Sequence, residues 1–424
     1  MKAEAVAIET GYVGSLTPDQ EKKLQQLWSL LLNAFDSESD AAEHEEAHPQ
    51  DPGAAGSQER GPPSDHEVDL LVLRRTWLSM LKQENPDALL LRFLRARKWD
   101  VVQAFSMLRR ALAWRCKEVR VDEDVLPKGE AWCRGKEKTG STSTAKEKKD
   151  AHDYLEQLRR GKVYLRGADR RGRPVGYVHV AVHRPGAQSQ ETLEKLVVQT
   201  IETARCLFTT GPANESFCVV FDLTDFSLSN MEWQPVRFIL QAFEANYPEC
   251  LGSLLIHNAP WVFSGIWRII RGLLDPVVAA KIDFTRSLDE LEKYIPRENI
   301  ISRLGGADDW AYAYREPSED EDAIMARGDE REEIMAERRE IAERFLVATR
   351  AWVNHAQTSD GDGEQAQTQR QLRNEAIEAL RANYWRLDPY IRSRTNLDRA
   401  GVIGPDGLIR LYPEREIIAQ PGRL

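Results

Sequence analysis

The residues of this chain that could do chemistry are few, and they fit the common catalytic templates poorly. Gly135-Lys136-Glu137-Lys138-Thr139-Gly140-Ser141-Thr142 has the glycines and hydroxyls of a phosphate-cradling loop. Ser141, however, stands where such a loop requires lysine, and no apolar strand precedes it. Asp222 and Asp225 follow an apolar run and could form a carboxylate pair, although a strand-terminal aspartate that caps the next turn is the simpler expectation. His179 and His257 sit in strand-like patterns with no metal partner at ligand spacing, as packed core histidines do. There is no GxSxG elbow, HExxH pair or Cys–His signature. A hydrolase using Asp222 and a histidine would lack a nucleophile motif, so the chain is expected not to be an enzyme and to hold no metal.

Five cysteines (Cys116, Cys133, Cys206, Cys218, Cys250) are widely spaced, odd in number and free of any CxxC pair. That argues against a disulfide framework or zinc site and for a reducing compartment, with the cytoplasm as the simplest reading. The first ten residues hold two glutamates and no apolar block after a basic start, unlike a secretory leader. No apolar run of about 18 residues is present. The net charge of -10 disfavours a nucleic-acid partner, yet the charge is uneven. Lys128 to Arg173 holds 14 Lys/Arg against 7 Asp/Glu, whereas Glu316 to Arg344 holds 5 against 12. A basic centre beside an acidic flank suits contact with an anionic surface.

Stepping from these residues to what must hold them, Thr17-Pro18-Asp19-Gln20 reads as an N-cap, a first-turn proline and a capping box, followed by Leu24, Leu27, Leu31 and Phe35 at helical spacing. Residues 1–35 are thus an N-terminal helical extension, and 36–66, poor in large apolar residues, a disordered linker. Helices over 68–81, 87–97 and 101–115, the last capped by Asp100, make a small helical subdomain spanning 67–127. Residues 128–160 form a basic loop, mobile over 134–150, and a connecting helix. Over 161–312 the pattern becomes strand, hairpin turn (Asp169-Arg170-Arg171-Gly172-Arg173-Pro174), strand, and then alternating helices and strands. Phe217 to Phe221 is a continuous apolar run, as in a strand covered on both faces. The fold class is α/β: a helical subdomain followed by a mixed, mainly parallel sheet flanked by helices. Residues 313–424 read as a charged helical extension and tail.

One block stands out. Leu89-Leu90-Leu91-Arg92-Phe93-Leu94-Arg95-Ala96-Arg97-Lys98-Trp99-Asp100 joins an apolar helix face to four cations. By itself it could be a solvated basic face. Later blocks follow in order: Asp169 to Val175, Phe221-Asp222-Leu223-Thr224, Asn246-Tyr247-Pro248-Glu249, Ile256-His257-Asn258-Ala259-Pro260, Leu274-Asp275-Pro276-Val277 and Leu304-Gly305-Gly306. Together they make residues 68 to 310 resemble the CRAL-TRIO lipid-binding family, which includes the fungal phosphatidylinositol-transfer proteins. The tail around Asn383-Tyr384-Trp385 resembles a filamentous-fungal branch.

The resemblance implies a sheet flooring an apolar cavity, with a mobile helix closing its mouth. That gate would be Trp261, Val262, Phe263, Ile266, Trp267, Ile270, Leu273 and Leu274, with Gly265 and Gly272 suited to a hinge. The phosphoinositide headgroup would meet Arg97 and Lys98, Glu249 and Lys281. Val278 replaces a threonine typical of the transfer proteins, removing one hydroxyl contact. Phe217, Val219 and Phe221 would line the cavity strand. The first two are apolar where phosphatidylcholine-binding members carry hydroxyls, so that lipid is expected to be a poor ligand. The implied ligand is one phospholipid, phosphatidylinositol in first place, with no other cofactor. Alternatives are a sterol or squalene-like cargo, or a lipid-sensing adaptor without transfer. The implied partners are a transient membrane surface and, through the C-terminal helices, lipid kinases or other proteins.

Overall fold

Thr17 and Gln20 exchange hydrogen bonds, Gln20 N to Thr17 Oγ1 at 3.3 Å and Thr17 N to Gln20 Oε1 at 2.9 Å, and the first helix starts there. The computed structural model describes residues 10–47, 70–138, 142–209, 215–358 and 364–415. Two compact units emerge: Met1–Arg120 with Ile334–Tyr384, and Val121–Glu333 with Trp385–Leu424.

The helical unit holds α1 (Pro18–Ala47), α2 (Leu70–Leu81), α3 (Pro86–Ala96) and α4 (Val101–Ala113). Asn85 and Asp100 cap α3 and α4, accepting from Asp87 N at 2.8 Å and Gln103 N at 2.9 Å. α1 continues past Phe35 to Ala47, so the start of the segment expected to be a disordered linker is helical. Residues 36–47 contain alanines and glutamates but neither glycine nor proline, and nothing in them breaks a helix. The rest of that linker lies outside the described residues.

The C-terminal extension is not a separate appendage. Its helices Gly328–Thr358 and Glu364–Ile391 supply Ile334–Tyr384 to this unit. Ile341, Phe345, Trp352, Ile377 and Leu380 join Leu24, Trp28, Trp77 and Leu91 in one core. Trp28 lies edge-on to Trp77 and Phe345 at 5.7 and 5.4 Å. Charge is used internally here: Asp87 accepts from Trp28 Nε1 and from Arg373 Nη2, each at 2.7 Å. The acidic composition masked an apolar stripe at helical spacing.

The sheet unit has five strands in the order β1 (Val163–Ala168), β2 (Pro174–His179), β3 (Phe217–Asp222), β4 (Leu251–His257) and β5 (Ile282–Thr285). β1 and β2 are antiparallel and the remaining pairs parallel, the mixed sheet expected. Asp169 fixes the hairpin: its Oδ1 accepts from Arg171 N and Arg173 N, both at 2.9 Å. Gly172 takes φ +82° in that turn, a value glycine adopts without strain. Parallel neighbours need crossovers. α7 (Gln190–Arg205) links β2 to β3, α8 (Trp233–Gln241) links β3 to β4, and α9 (Phe263–Leu273) with α10 (Pro276–Ala279) links β4 to β5.

Ahead of the sheet lie α5 (Glu130–Glu137) and α6 (Ala145–Arg159). The stretch 134–150, expected to be a mobile loop, is therefore largely helical, with residues 139–141 outside the described set. Thr144 and Glu147 form a capping box, Thr144 N donating to Glu147 Oε2 at 2.8 Å. Cys133, Ala151, Tyr154 and Leu155 give the two helices a shared apolar face.

Period-2 geometry sorts β3. Cys218 and Val220 pack with Tyr177, Leu255, Ile295 and Ile301 on one side, leaving Phe217, Val219 and Phe221 for the other.

Candidate lipid-binding site

That other face borders a cavity of about 200 Å³. Phe217, Val219 and Phe221 all line it, together with Leu193, Leu196, Val197 and Ile201 of α7 and Pro235, Val236 and Ile239 of α8. Such a wall accepts hydrocarbon and rejects unpaired charge.

The helix expected to serve as a gate, α9, does not line this cavity. Phe263 and Ile266 pack instead on Leu223, Phe226 and Ile256, with Phe226 and Phe263 edge to face at 5.8 Å. Val180 and Met231 intervene, since both border the cavity and both pack against the α9 cluster. Trp267 meets Phe284 at 5.1 Å and Leu274 is buried. The helix is two-faced rather than apolar all round and buried. Trp261 (88% exposed), Ile269 (54%) and Leu273 (49%) point to solvent, joined by exposed Val277 and Phe284. An exposed run of large apolar side chains on one segment is a feature of interaction surfaces.

Three of the five expected headgroup residues come together. Lys281 Nζ donates to Glu249 Oε2 at 3.0 Å, with the two side chains only 21% and 19% exposed. Lys281 N donates to Val278 O at 3.0 Å, placing Val278 in the same turn. Both ionic residues stand just before the N-termini of β4 and β5, and Glu249 takes φ +57° there. Arg97 and Lys98 belong to the helical unit, Arg97 as the C-cap of α3 and Lys98 in the left-handed region at φ +50°. The other two cations of that block are structural. Arg92 is buried against Glu84, and Arg95 donates to Gly11 O at 2.7 Å while stacking over Tyr12.

The bland readings of the acid and histidine positions hold. Asp222 Oδ1 accepts from Thr224 N at 3.0 Å, capping its turn. His179 shares a 3.0 Å hydrogen bond with Tyr164, and burial pushes its pKa down to about 4. His257 bonds Thr285 at 2.9 Å and is likewise lowered by burial. Among the described residues no group of three or more His, Cys, Asp or Glu is placed to hold a metal, and no helix is long and apolar enough to cross a membrane.

Sequence reasoning missed one cluster on the cavity wall. Lys162, His183 and Glu232 all border the cavity and are linked in series, with burial pushing the Lys162 pKa down to about 8. They come from three separate elements at irregular spacing, so no motif announces them.

Comparison with known proteins agrees with this architecture. Residues 158–306 match the CRAL/TRIO domain and residues 23–110 the CRAL/TRIO, N-terminal domain. A CRAL-TRIO domain-containing protein of Schizosaccharomyces pombe is 39% identical over 340 residues, 80% of this chain and 70% of that one. The phosphatidylinositol transfer protein CSR1 of Eremothecium gossypii is 38% identical over 338 residues, covering 80% of this chain and 73% of its own. The crystal structure of Sfh5 is similar with a TM-score of 0.42 and 16% identity, over 68% of this chain and 88% of that one. With an apolar hollow over a mixed sheet and these matches along both of its parts, the chain belongs to the CRAL-TRIO family of lipid-binding and lipid-transfer proteins.

Proposed function

We propose that the protein takes up one phospholipid, phosphatidylinositol in first place, and carries it between membranes or presents it to lipid-modifying enzymes. The observation that carries this reading is the apolar cavity together with the part-buried Glu249–Lys281 pair in the same unit. Each acyl CH₂ exposed to water costs about 0.8 kcal/mol, so a carrier needs an apolar interior and no covalent chemistry. The phosphate would then need cations, and within the sheet unit Lys281 supplies a point charge. At about 200 Å³ the cavity is smaller than the roughly 300–1,000 Å³ usual for small-molecule sites. Entry of a two-chain lipid therefore requires the wall to move. α8 is the outer wall with the fewest buried residues, and α9, with Ile269 and Leu273 facing out and exposed Trp261 just before it, is suited to rest on a bilayer while it does so. The protein would act from the cytoplasm, touching membranes transiently.

The test is transfer of labelled lipid between donor and acceptor vesicles. Phosphatidylinositol should move at least ten times faster than phosphatidylcholine, because Phe217 and Val219 offer a choline headgroup no hydroxyl. Comparable rates for the two lipids would refute the preference. Binding without transfer would make the protein an adaptor instead.

A further inference from the structure

Lys162, which borders the apolar cavity, is a cation that no carboxylate meets directly among the described residues. Lys162 Nζ donates to Gln157 Oε1 at 2.8 Å and to His183 Nδ1 at 2.8 Å. With Nδ1 accepting, the other ring nitrogen carries the proton and donates to Glu232 Oε2 at 3.0 Å. Asn230 Nδ2 donates to the carbonyls of His183 at 2.8 Å and Ala181 at 3.2 Å, which holds the loop after β2 in place. Arg184, next along, turns Nη1 to the Ala181 carbonyl at 2.6 Å. The ammonium is thus faced by Gln157 from α6, His183 after β2 and, through the imidazole, Glu232 at the N-cap of α8.

Other buried cations of this unit are treated differently. Arg166 meets Asp308 at 2.8 Å, Arg173 meets Asp169 at 2.6 Å and Arg392 meets Asp388 at 2.7 Å. Lys162, only 7% exposed, has no such direct ion pair among the described residues. A buried charge without a direct counter-ion is costly to hold and is not explained by packing. An ammonium has three donors, of which two are used. Lys162 and His183 both border the same cavity as Phe217, Val219 and Phe221, whereas Lys281 does not.

We propose that Lys162, positioned by His183 and Glu232, binds the anionic oxygen of a lipid, carboxylate or phosphate, whose apolar body lies against Phe217, Val219 and Phe221. This is an acceptor position on the inner wall, separate from the Glu249–Lys281 pair. It gives the cavity a polarity: hydrocarbon along β3, charge at the junction of α6, β2 and α8. The anion completes the ionic pairing that Glu232 makes only at one remove. The inference rests on reading the cavity as the lipid-binding space.

The experiment titrates the full chain with three single-chain probes: cis-parinaric acid, its methyl ester, and a fluorescent lysophosphatidic acid. The comparison is repeated with Lys162→Met, which keeps the aliphatic stem and removes the charge, an exchange that buried sites often tolerate. The expected result is that the wild-type chain binds at least one of the two anions ten-fold or more tightly than the ester. Lys162→Met should erase that preference, bringing the anion and ester affinities to about the same value. Which anion is preferred identifies the source of the acidic group. Equal binding of acid, phosphomonoester and ester by the wild-type chain overturns the inference and leaves the cavity reading standing. Failure of all three probes to bind overturns the cavity reading and the inference with it. If Lys162→Met does not fold, the wild-type comparison of anions with ester still decides.

Discussion

The helical unit and the sheet unit use the same kinds of residues to opposite ends. In the helical unit, large aromatics fill the interior: Trp28, Trp77 and Phe345 meet edge to face, and Arg373 ties Asp87 to the ring of Trp352, 4.3 Å from its guanidinium. One of its buried charge pairs, Asp87–Arg373, joins segments of chain far apart in sequence. In the sheet unit, one face of β3 is packed through Cys218 and Val220, but Phe217, Val219 and Phe221 border a cavity where they could have met more side chains. Of the buried cations there, Lys162 borders the hollow, while Arg166, Arg173 and Arg392 are paired away from it. An unfilled volume forfeits packing energy. Large aromatics thus fill the helical interior, whereas one face of β3 is buried yet borders unfilled space in the sheet unit.

Substitutions can break this contrast. The largest effect is expected in the filled interior: Trp28→Ala should cost about 3–5 kcal/mol of unfolding free energy, measured by urea titration, because Trp28 is fully buried and hydrogen-bonded to Asp87. A loss under about 1 kcal/mol would mean the core is less filled than described. Next comes Lys281→Glu, which should lower phosphatidylinositol transfer about 100-fold, about 2.7 kcal/mol by the usual conversion, and lower the melting temperature by less than Trp28→Ala does, because the new carboxylate faces Glu249 in a part-buried site. Val219→Phe should sharpen the contrast from the hollow side. It should lower lipid uptake about ten-fold while changing stability by less than about 1 kcal/mol, since space is available for the ring. If it destabilises as strongly as Trp28→Ala, the space is not there.

Smaller effects follow. Trp261→Ser with Ile269→Ser should slow transfer about three-fold and reduce vesicle binding, with no change in ligand capacity, because these side chains face outward. Acid should also weaken the sheet unit. His179 is held near pKa 4 by burial against about 6.5 when unfolded, so the unfolded chain binds the extra proton between those values. Its contribution is therefore full above about pH 6.5 and is lost as pH falls toward 4. His179→Gln should flatten that part of a melting-temperature profile.

Much of this was legible beforehand because local rules dominated locally. Thr17 and Gln20, Asp100, the Asp169 turn and the Asp222 cap all do what their side chains dictate at short range. β3 follows the continuous apolar run Phe217 to Phe221 and extends it by one residue, to Asp222. What the sequence hid is long-range. Phe345 and Trp352 lie among so many charges that their stripe reads as surface, yet they complete a core begun more than 300 residues earlier at Trp28. The helix expected to be the gate was legible as a helix but its inner neighbours were not, because only folding shows that Val180 and Met231 stand between α9 and the cavity. Lys162, His183 and Glu232 meet through three elements, and no spacing rule connects them.

The claim on which the account turns is that this hollow shelters a single amphiphile. Native mass spectrometry of the full-length protein, with lipid extraction and identification, tests it most directly. The expected result is one phospholipid per chain, phosphatidylinositol enriched over phosphatidylcholine, and loss of that adduct in Val219→Phe. An adduct unaffected by Val219→Phe, or no lipid bound after incubation with phosphatidylinositol vesicles, would contradict it.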